Sequence, residues 1–271
     1  MYPFTYHRPA NLAEARRLFE QGADASFLSG GHTLLPALKQ HLASPSDLVD
    51  LWNLPELKGI EADERRVLIR AAVVHADVAA SEAVRRHIPV LAGLAGSIGD
   101  RHVRHRGTIG GSVANNDPAA DYPSAVLGLG ATVVTDRRRI AADDYFTGLY
   151  ETAREPGEIL TAIEFPVPRS AGYAKFRSAA SRYALAAVFV ARTAAGVRVA
   201  VTGAGASGVF RLGEFEAALE ADFRAEALQG LAVDPSTLLG DPSAPASYRA
   251  QLVKVLACRA VAGQGSVQLF K

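Results

Sequence analysis

Ser29-Gly30-Gly31-His32-Thr33-Leu34-Leu35-Pro36 and Thr108-Ile109-Gly110-Gly111-Ser112-Val113-Ala114-Asn115-Asn116-Asp117-Pro118-Ala119-Ala120-Asp121-Tyr122-Pro123 are the two stretches on which the reading of this chain turns. Each sets adjacent glycines among small hydroxyl residues. Such a loop lets backbone approach a ligand closely and turn its N–H groups toward an anion. Two of them in one small chain point to a single long ligand with a charged middle, such as a dinucleotide. Ser29, Thr33, Thr108 and Ser112 add hydroxyl hydrogen bonds, and His32 lies inside the first loop as a cofactor contact. Neither loop carries a lysine at the phosphate position, which disfavours an ATPase P-loop.

Working outward, Asn11-Leu12-Ala13-Glu14 reads as a capping-box helix start and Gly22 as its stop. A short strand over 25–28 runs into the first glycine loop, and a helix with Pro36 in its first turn follows. Residues 47–52 and 67–73 read as strands, 76–86 as one helix, and 91–98 as a buried helix leading to the second loop. Strands are expected over 131–135 and 159–165. Pro166-Val167-Pro168 is the boundary candidate, followed by strands over 173–176, 185–191 and 197–202 and a mostly helical remainder from 214. The order predicts an α+β cofactor domain over 1–168, in two α/β subdomains of roughly 1–55 and 56–168, and a smaller domain over 169–271.

Composition narrows the function. A net charge of +1 gives no support to a nucleic-acid or membrane-surface role. No apolar run is long enough to span a bilayer. Met1-Tyr2-Pro3-Phe4-Thr5-Tyr6-His7 shows no basic region followed by an apolar stretch, so a cytoplasmic location is expected. The single cysteine, Cys258, cannot hold an iron–sulfur cluster or a cysteine-rich zinc site alone. It reads as a core residue of an amphipathic helix.

Other candidates carry less. Gly203-Ala204-Gly205-Ala206-Ser207-Gly208 has the formal dinucleotide spacing, but no helix opens at its last glycine, so a strand-end turn is the better reading. His102 and His105 in Arg101-His102-Val103-Arg104-His105-Arg106 have no carboxylate or cysteine nearby to complete a metal site. That stretch reads as a solvated basic loop or a surface offsetting cofactor charge. No metal site and no nucleophile triad is expected. Asp117 and Asp121 lie four apart. Asp121 suits a ribose diol because a carboxylate only accepts hydrogen bonds. Loop capping through Asx turns is the alternative for both.

Together these residues resemble the FAD-binding (medium) subunits of molybdenum hydroxylases, of the aerobic carbon monoxide dehydrogenase and xanthine dehydrogenase type. The resemblance rests on Tyr6-His7-Arg8-Pro9, on both glycine motifs through Asp121, on Glu155-Pro156-Gly157-Glu158-Ile159-Leu160, on Tyr173-Ala174-Lys175-Phe176-Arg177 and on the Tyr248-Arg249 helix. It covers nearly the whole chain in order. It implies an FAD domain of the vanillyl-alcohol-oxidase (PCMH) type, then a domain with a three-stranded antiparallel sheet and a helix bundle. It also implies that Ser29, Gly30, Gly31, His32, Thr33 and Leu34 form one FAD loop. Thr108, Ile109, Gly110, Gly111, Ser112, Asn115 and Asp117 then form the other, and Asp121 contacts FAD. Ile159 and Leu160 match an apolar stretch near flavin and adenine. Lys175 and Tyr183 match positions beside the isoalloxazine, where they would tune its potential.

One departure stands out. Many relatives place an aspartate before the aromatic residue where this chain has Arg182, and Ala179-Ala180 replaces a commonly basic stretch. The reversed charge would favour the negatively charged reduced flavin and puts a nicotinamide-binding surface in doubt. Quinone, oxygen and NAD stay open as acceptors. The resemblance further implies a large molybdopterin subunit, a small subunit with two [2Fe–2S] clusters and a dimer of heterotrimers, reaching the inner face of the membrane only through the complex. A self-contained FAD oxidase or dehydrogenase of the same cofactor fold is the alternative.

Overall fold

The structure is a computed structural model that describes residues 1–242 and 244–270. Its element order follows from local chemistry. Asn11 caps helix Leu12–Gln21 by accepting from the Glu14 N–H at 2.9 Å, while the Glu14 carboxylate accepts from Ala10 N–H at 2.7 Å. Gly22 closes the helix with its N–H on the Leu18 and Phe19 carbonyls. The next strand, Ala25–Leu28, joins a three-stranded parallel sheet with Asp47–Asp50 at its centre and Thr5–His7 on the other edge.

A second sheet is antiparallel, in the order Ile60–Ala62, Arg66–Arg70, Leu160–Pro166, Thr132–Thr135, Arg139–Ala141. Short helices pack beside it. The stretch read as one helix over 76–86 is two, His75–Ala80 and Glu82–His87, because Ser81 leaves the helix and caps the second by accepting from Val84 N–H at 3.3 Å. The basic stretch read as a solvated loop is helix Arg101–Arg106, capped by Asp100 on Val103 N–H.

The third sheet contains the three long antiparallel strands expected, Ser170–Arg177, Ala184–Thr193 and Gly196–Thr202. Two short edges extend it: Phe210–Arg211, and Val267–Phe270, which adds parallel to Ser170–Arg177. That last strand interrupts the expected helical remainder. Alternation along the middle strand explains its continuous apolar run. Ala187, Phe189 and Ala191 enter one core with the first two sheets, while Ala186, Val188 and Val190 enter another with Leu256 and Ala257 of helix Ala246–Ala262. A sheet buried on both faces needs apolar residues on both. By the same alternation, Tyr173 and Lys175 of Ser170–Arg177 point toward the first core and Ala174 toward the second. Cys258 is half-buried against the second core. The glycine-rich Gly203 segment ends strand Gly196–Thr202 as a turn.

Candidate functional site

A cleft of about 1130 Å³ runs between the first two sheets and the tip of the third. Small-molecule sites span roughly 300–1,000 Å³, so this one suits a long ligand. Both glycine motifs line it, and they meet there. Ser29 Oγ and Thr108 Oγ1 lie 3.1 Å apart. A Cβ on Gly30 would collide with the Arg106 carbonyl, so only glycine lets the first loop pass the start of the second. Arg106 is held in turn by its guanidinium, 3.9 Å over the Trp52 ring, which Lys58 Nζ approaches at 4.3 Å.

The two motifs differ in what their backbone does. The N–H groups of Gly30, Gly31, His32 and Thr33 meet no acceptor among the described residues. His32 and Thr33 are exposed. This is a cradle of free donors beside a cleft. The second motif, read as a loop, is the start of helix Ile109–Asn115, capped by Thr108. Its N–H groups are already used: Ile109 donates to Val73 O at 3.0 Å, Gly110 to Ala71 O at 2.9 Å and Gly111 to Thr108 Oγ1 at 3.1 Å. Gly110 is glycine because a Cβ would lie 2.5 Å from Ala71 Cβ and 2.7 Å from its carbonyl. The second motif therefore supports the cleft wall, and the first supplies the donors.

The structure brings the other sequence candidates to the same cleft. Leu34, Ser112, Asn115, Asp117, Asp121, Ile159, Leu160, Lys175 and Tyr183 all line it. Ile109 is the exception: it is fully buried in the first core and does not reach the lining. Asp117 accepts from Ala119 N–H at 2.8 Å, the Asx turn set out as the alternative, while still lining the cleft. Ile159 is fixed by exchange with Asp136, whose Oδ1 accepts from its N–H at 2.9 Å. Asp121 does not stand free for a diol. It accepts from Lys175 Nζ at 2.8 and 2.9 Å and from the Tyr173 hydroxyl.

Tyr183 is half exposed, on the turn after strand Ser170–Arg177 that reaches over the cleft, and Arg182 beside it adopts φ +64°. Burial, with Asp117 and Asp121 nearby, raises the Tyr183 phenol's pKa. The turn sets Arg182 close enough to Asp100, across the cleft, to help hold that carboxyl below its usual range, behind the larger effect of the Val103 N–H.

Several lining residues carry no clear signal in the sequence. His75 is 4% exposed, its Nδ1 has no hydrogen-bond partner among the described residues, and its Nε2 side abuts Gly107. Burial first, then His32 and Arg104, lower its pKa to about 3, so it is a neutral imidazole. A lone histidine after Val73-Val74 gives sequence reading nothing to act on. Ile98 and the stacked Phe19–Phe27 pair, 4.5 Å between centroids, also line the cleft. Among the described residues no group of three or more acidic, histidine or cysteine side chains could hold a metal ion. None of their helices is long and apolar enough to cross a membrane.

Comparison with known proteins gives the same direction. Residues 2–168 match the family model described as the FAD binding domain in molybdopterin dehydrogenase. The chain is 36% identical to the carbon monoxide dehydrogenase medium chain of Afipia carboxidovorans, over 95% of each chain. It is 34% identical to the nicotine 6-hydroxylase medium subunit of Paenarthrobacter nicotinovorans, over 96% of this chain and 97% of that one. Among solved structures, a chain of the cyanide-inactivated Cu,Mo-CO dehydrogenase superposes with a TM-score of 0.88 at 34% identity, over 98% of this chain and 99% of that one.

Proposed function

This chain belongs to the family of the FAD binding domain in molybdopterin dehydrogenase, and from that premise we propose that it is the FAD-carrying electron-transfer subunit of a molybdenum hydroxylase. The observation that carries the reading is the row of four unpaired N–H groups in the first glycine loop, set in a cleft long enough for a dinucleotide. A pyrophosphate concentrates negative charge and needs several donors in a confined space. Gly30, Gly31, His32 and Thr33 supply backbone donors. The hydroxyls of Ser29, Thr108 and Ser112 line the same wall.

The residues divide the remaining work. Residues 1–168 form the cofactor domain and 169–271 bring Lys175 and Tyr183 over it. Ile159 and Leu160 offer apolar surface to the cofactor's rings, and Lys175 and Tyr183 flank the isoalloxazine. Bound FAD supplies two-electron storage between one-electron donors and an acceptor. No side chain of this chain is required as acid or base in substrate chemistry. Its residues hold the cofactor, exclude water from its buried side and set its potential. The relatives named above are medium chains, which supports assembly with larger and smaller partner subunits; that assembly would be with a large molybdopterin subunit and a small [2Fe–2S] subunit, as a dimer of heterotrimers in the cytoplasm. Reoxidation is by an external acceptor: quinone, oxygen or NAD.

The test is an absorption spectrum of the purified chain, with its cofactor released by acid and identified. One FAD per chain supports the reading. A colourless chain that takes up no added FAD, alone or with its partner subunits, overturns it.

A further inference from the structure

Asp121, Lys175 and Tyr173 form a buried charge cluster in the cleft wall. Lys175 is fully buried and Asp121 is 5% exposed, and both line the cleft. Tyr173 is fully buried behind them, packed on Phe189 at 6.1 Å between centroids, and does not reach the lining. Tyr173 and Lys175 are two apart on one strand, so they leave the sheet on the same side. Asp121 comes from a different element, as the residue just before helix Tyr122–Gly128. Its carboxylate takes the ammonium on both oxygens and the phenol on one.

A buried ammonium without a partner is costly, and so is a buried carboxylate. Here each offsets the other, so the wall carries a dipole and no net charge. The phenol decides how that dipole is balanced. A charge-assisted hydrogen bond from Tyr173 draws density from the carboxylate and leaves more of the ammonium's field directed into the cleft. Burial, and then Asp121, raise the Tyr173 pKa well above the ordinary phenol value, so it remains a donor.

We propose that Tyr173 and Asp121 are positioning residues for Lys175, and that this three-residue relay sets the charge felt by the ring of the bound flavin. The proposal rests on the reading that places the isoalloxazine at the Lys175 end of the cleft. Asp121 then acts on the cofactor through Lys175, in place of the diol contact read from the sequence.

Opposite signs separate this role from a merely structural one. The full chain is reconstituted with FAD and its potential measured by dye equilibration in Asp121→Asn, Lys175→Gln and Tyr173→Phe. Asp121→Asn removes a negative charge and makes the flavin easier to reduce by about tenfold, about 30 mV for a two-electron couple. Lys175→Gln makes it harder to reduce by a similar factor. Tyr173→Phe shifts it in the same direction as Lys175→Gln, by less. A second measurement needs no cofactor: in thermal unfolding of the apo chain, Tyr173→Phe and Lys175→Gln are non-additive because they share Asp121. Stoichiometric FAD with potentials that move in one common direction or not at all, or additive unfolding effects, overturns the relay and leaves the FAD reading standing. A wild-type chain that takes up no FAD overturns both.

Discussion

In the first glycine motif the N–H groups from Gly30 to Thr33 have no acceptor among the described residues; in the second, Ile109, Gly110 and Gly111 give theirs to Val73, Ala71 and Thr108. The compositions are nearly the same. What differs is the structure next to each. The first loop leaves a strand edge and passes over the cleft with exposed residues at its crest. The second is pressed onto residues 71–75 with Ile109 and Val113 in the core. Glycine serves ligand access in one and close packing of backbone on backbone in the other. Changes in the second motif should therefore act on folding, and changes in the first on cofactor affinity.

The largest expected effect comes from His75, whose backbone N–H donates to the carbonyl of Gly107, just before the second motif. Its folded pKa of about 3 lies below the ordinary imidazole value of 6.5. The unfolded chain thus binds a proton that the folded chain refuses. Its stability contribution is complete above pH 6.5 and is lost as the pH falls toward 3. By linkage this one group removes about 3 kcal/mol between pH 7 and pH 4. Urea midpoints at the two pH values check it: the wild type should lose more stability on acidification than His75→Gln, by an amount of that order. Equal losses would mean that the imidazole is not held neutral beneath the motif.

Next is Gly110→Ala. Alanine gains about 1 kcal/mol in helix propensity, but the added methyl must displace Ala71, and overpacking of this kind costs 1–3 kcal/mol, occasionally more. With backbone as the obstacle the clash should prevail, for a net loss of about 2 kcal/mol in thermal or urea unfolding of the apo chain. A Gly110→Ala chain that unfolds normally but loses FAD would reverse the roles given to the two motifs.

Gly30→Ala makes the complementary case. Its obstacle is also backbone, the Arg106 carbonyl oxygen, so the first loop must move off the second motif. The expected result is a fall in FAD affinity of about tenfold, equivalent to about 1.4 kcal/mol, together with an apo stability loss of about 1 kcal/mol or more from the same clash. Fluorescence titration with FAD measures the first and thermal unfolding the second.

This contrast also marks what the sequence could tell. The helix after Asn11, the strands feeding the first loop and the long strands of the third sheet announce themselves through caps and apolar patterning. Seventeen of the eighteen candidate site positions line one cleft: the two glycine motifs stand out by their small and hydroxyl residues, while Ile159, Leu160, Lys175 and Tyr183 came from the family resemblance. Ile109 is the one that does not line it, because a residue inside a motif can face the core. Ile109-Gly110-Gly111-Ser112 reads as a loop because glycine is a poor helix former. The Thr108 cap and the contacts with Ala71 and Val73, distant in sequence, hold it as a helix. Strand Val267–Phe270 is short, and its partner lies some ninety residues earlier. Nothing local encodes that pairing. His75 and the Tyr173 hydrogen bond to Asp121 are likewise products of tertiary packing.

The smallest expected effect tests the junction of the motifs. Ser29 and Thr108 share a hydroxyl contact at 3.1 Å, but Thr108 also caps helix Ile109–Asn115 through Gly111 N–H. Thr108→Ala removes both and should cost about 1 kcal/mol, as loss of a cap does. Ser29→Ala removes only a half-buried hydrogen bond, worth about 0.5 kcal/mol. If the hydroxyl pair joins the motifs without joining their functions, Ser29→Ala should act through FAD affinity and Thr108→Ala mainly through stability. Equal stability losses from the two would show that the first loop shares in the second motif's packing, and the division between donor loop and supporting helix would have to be redrawn at that contact.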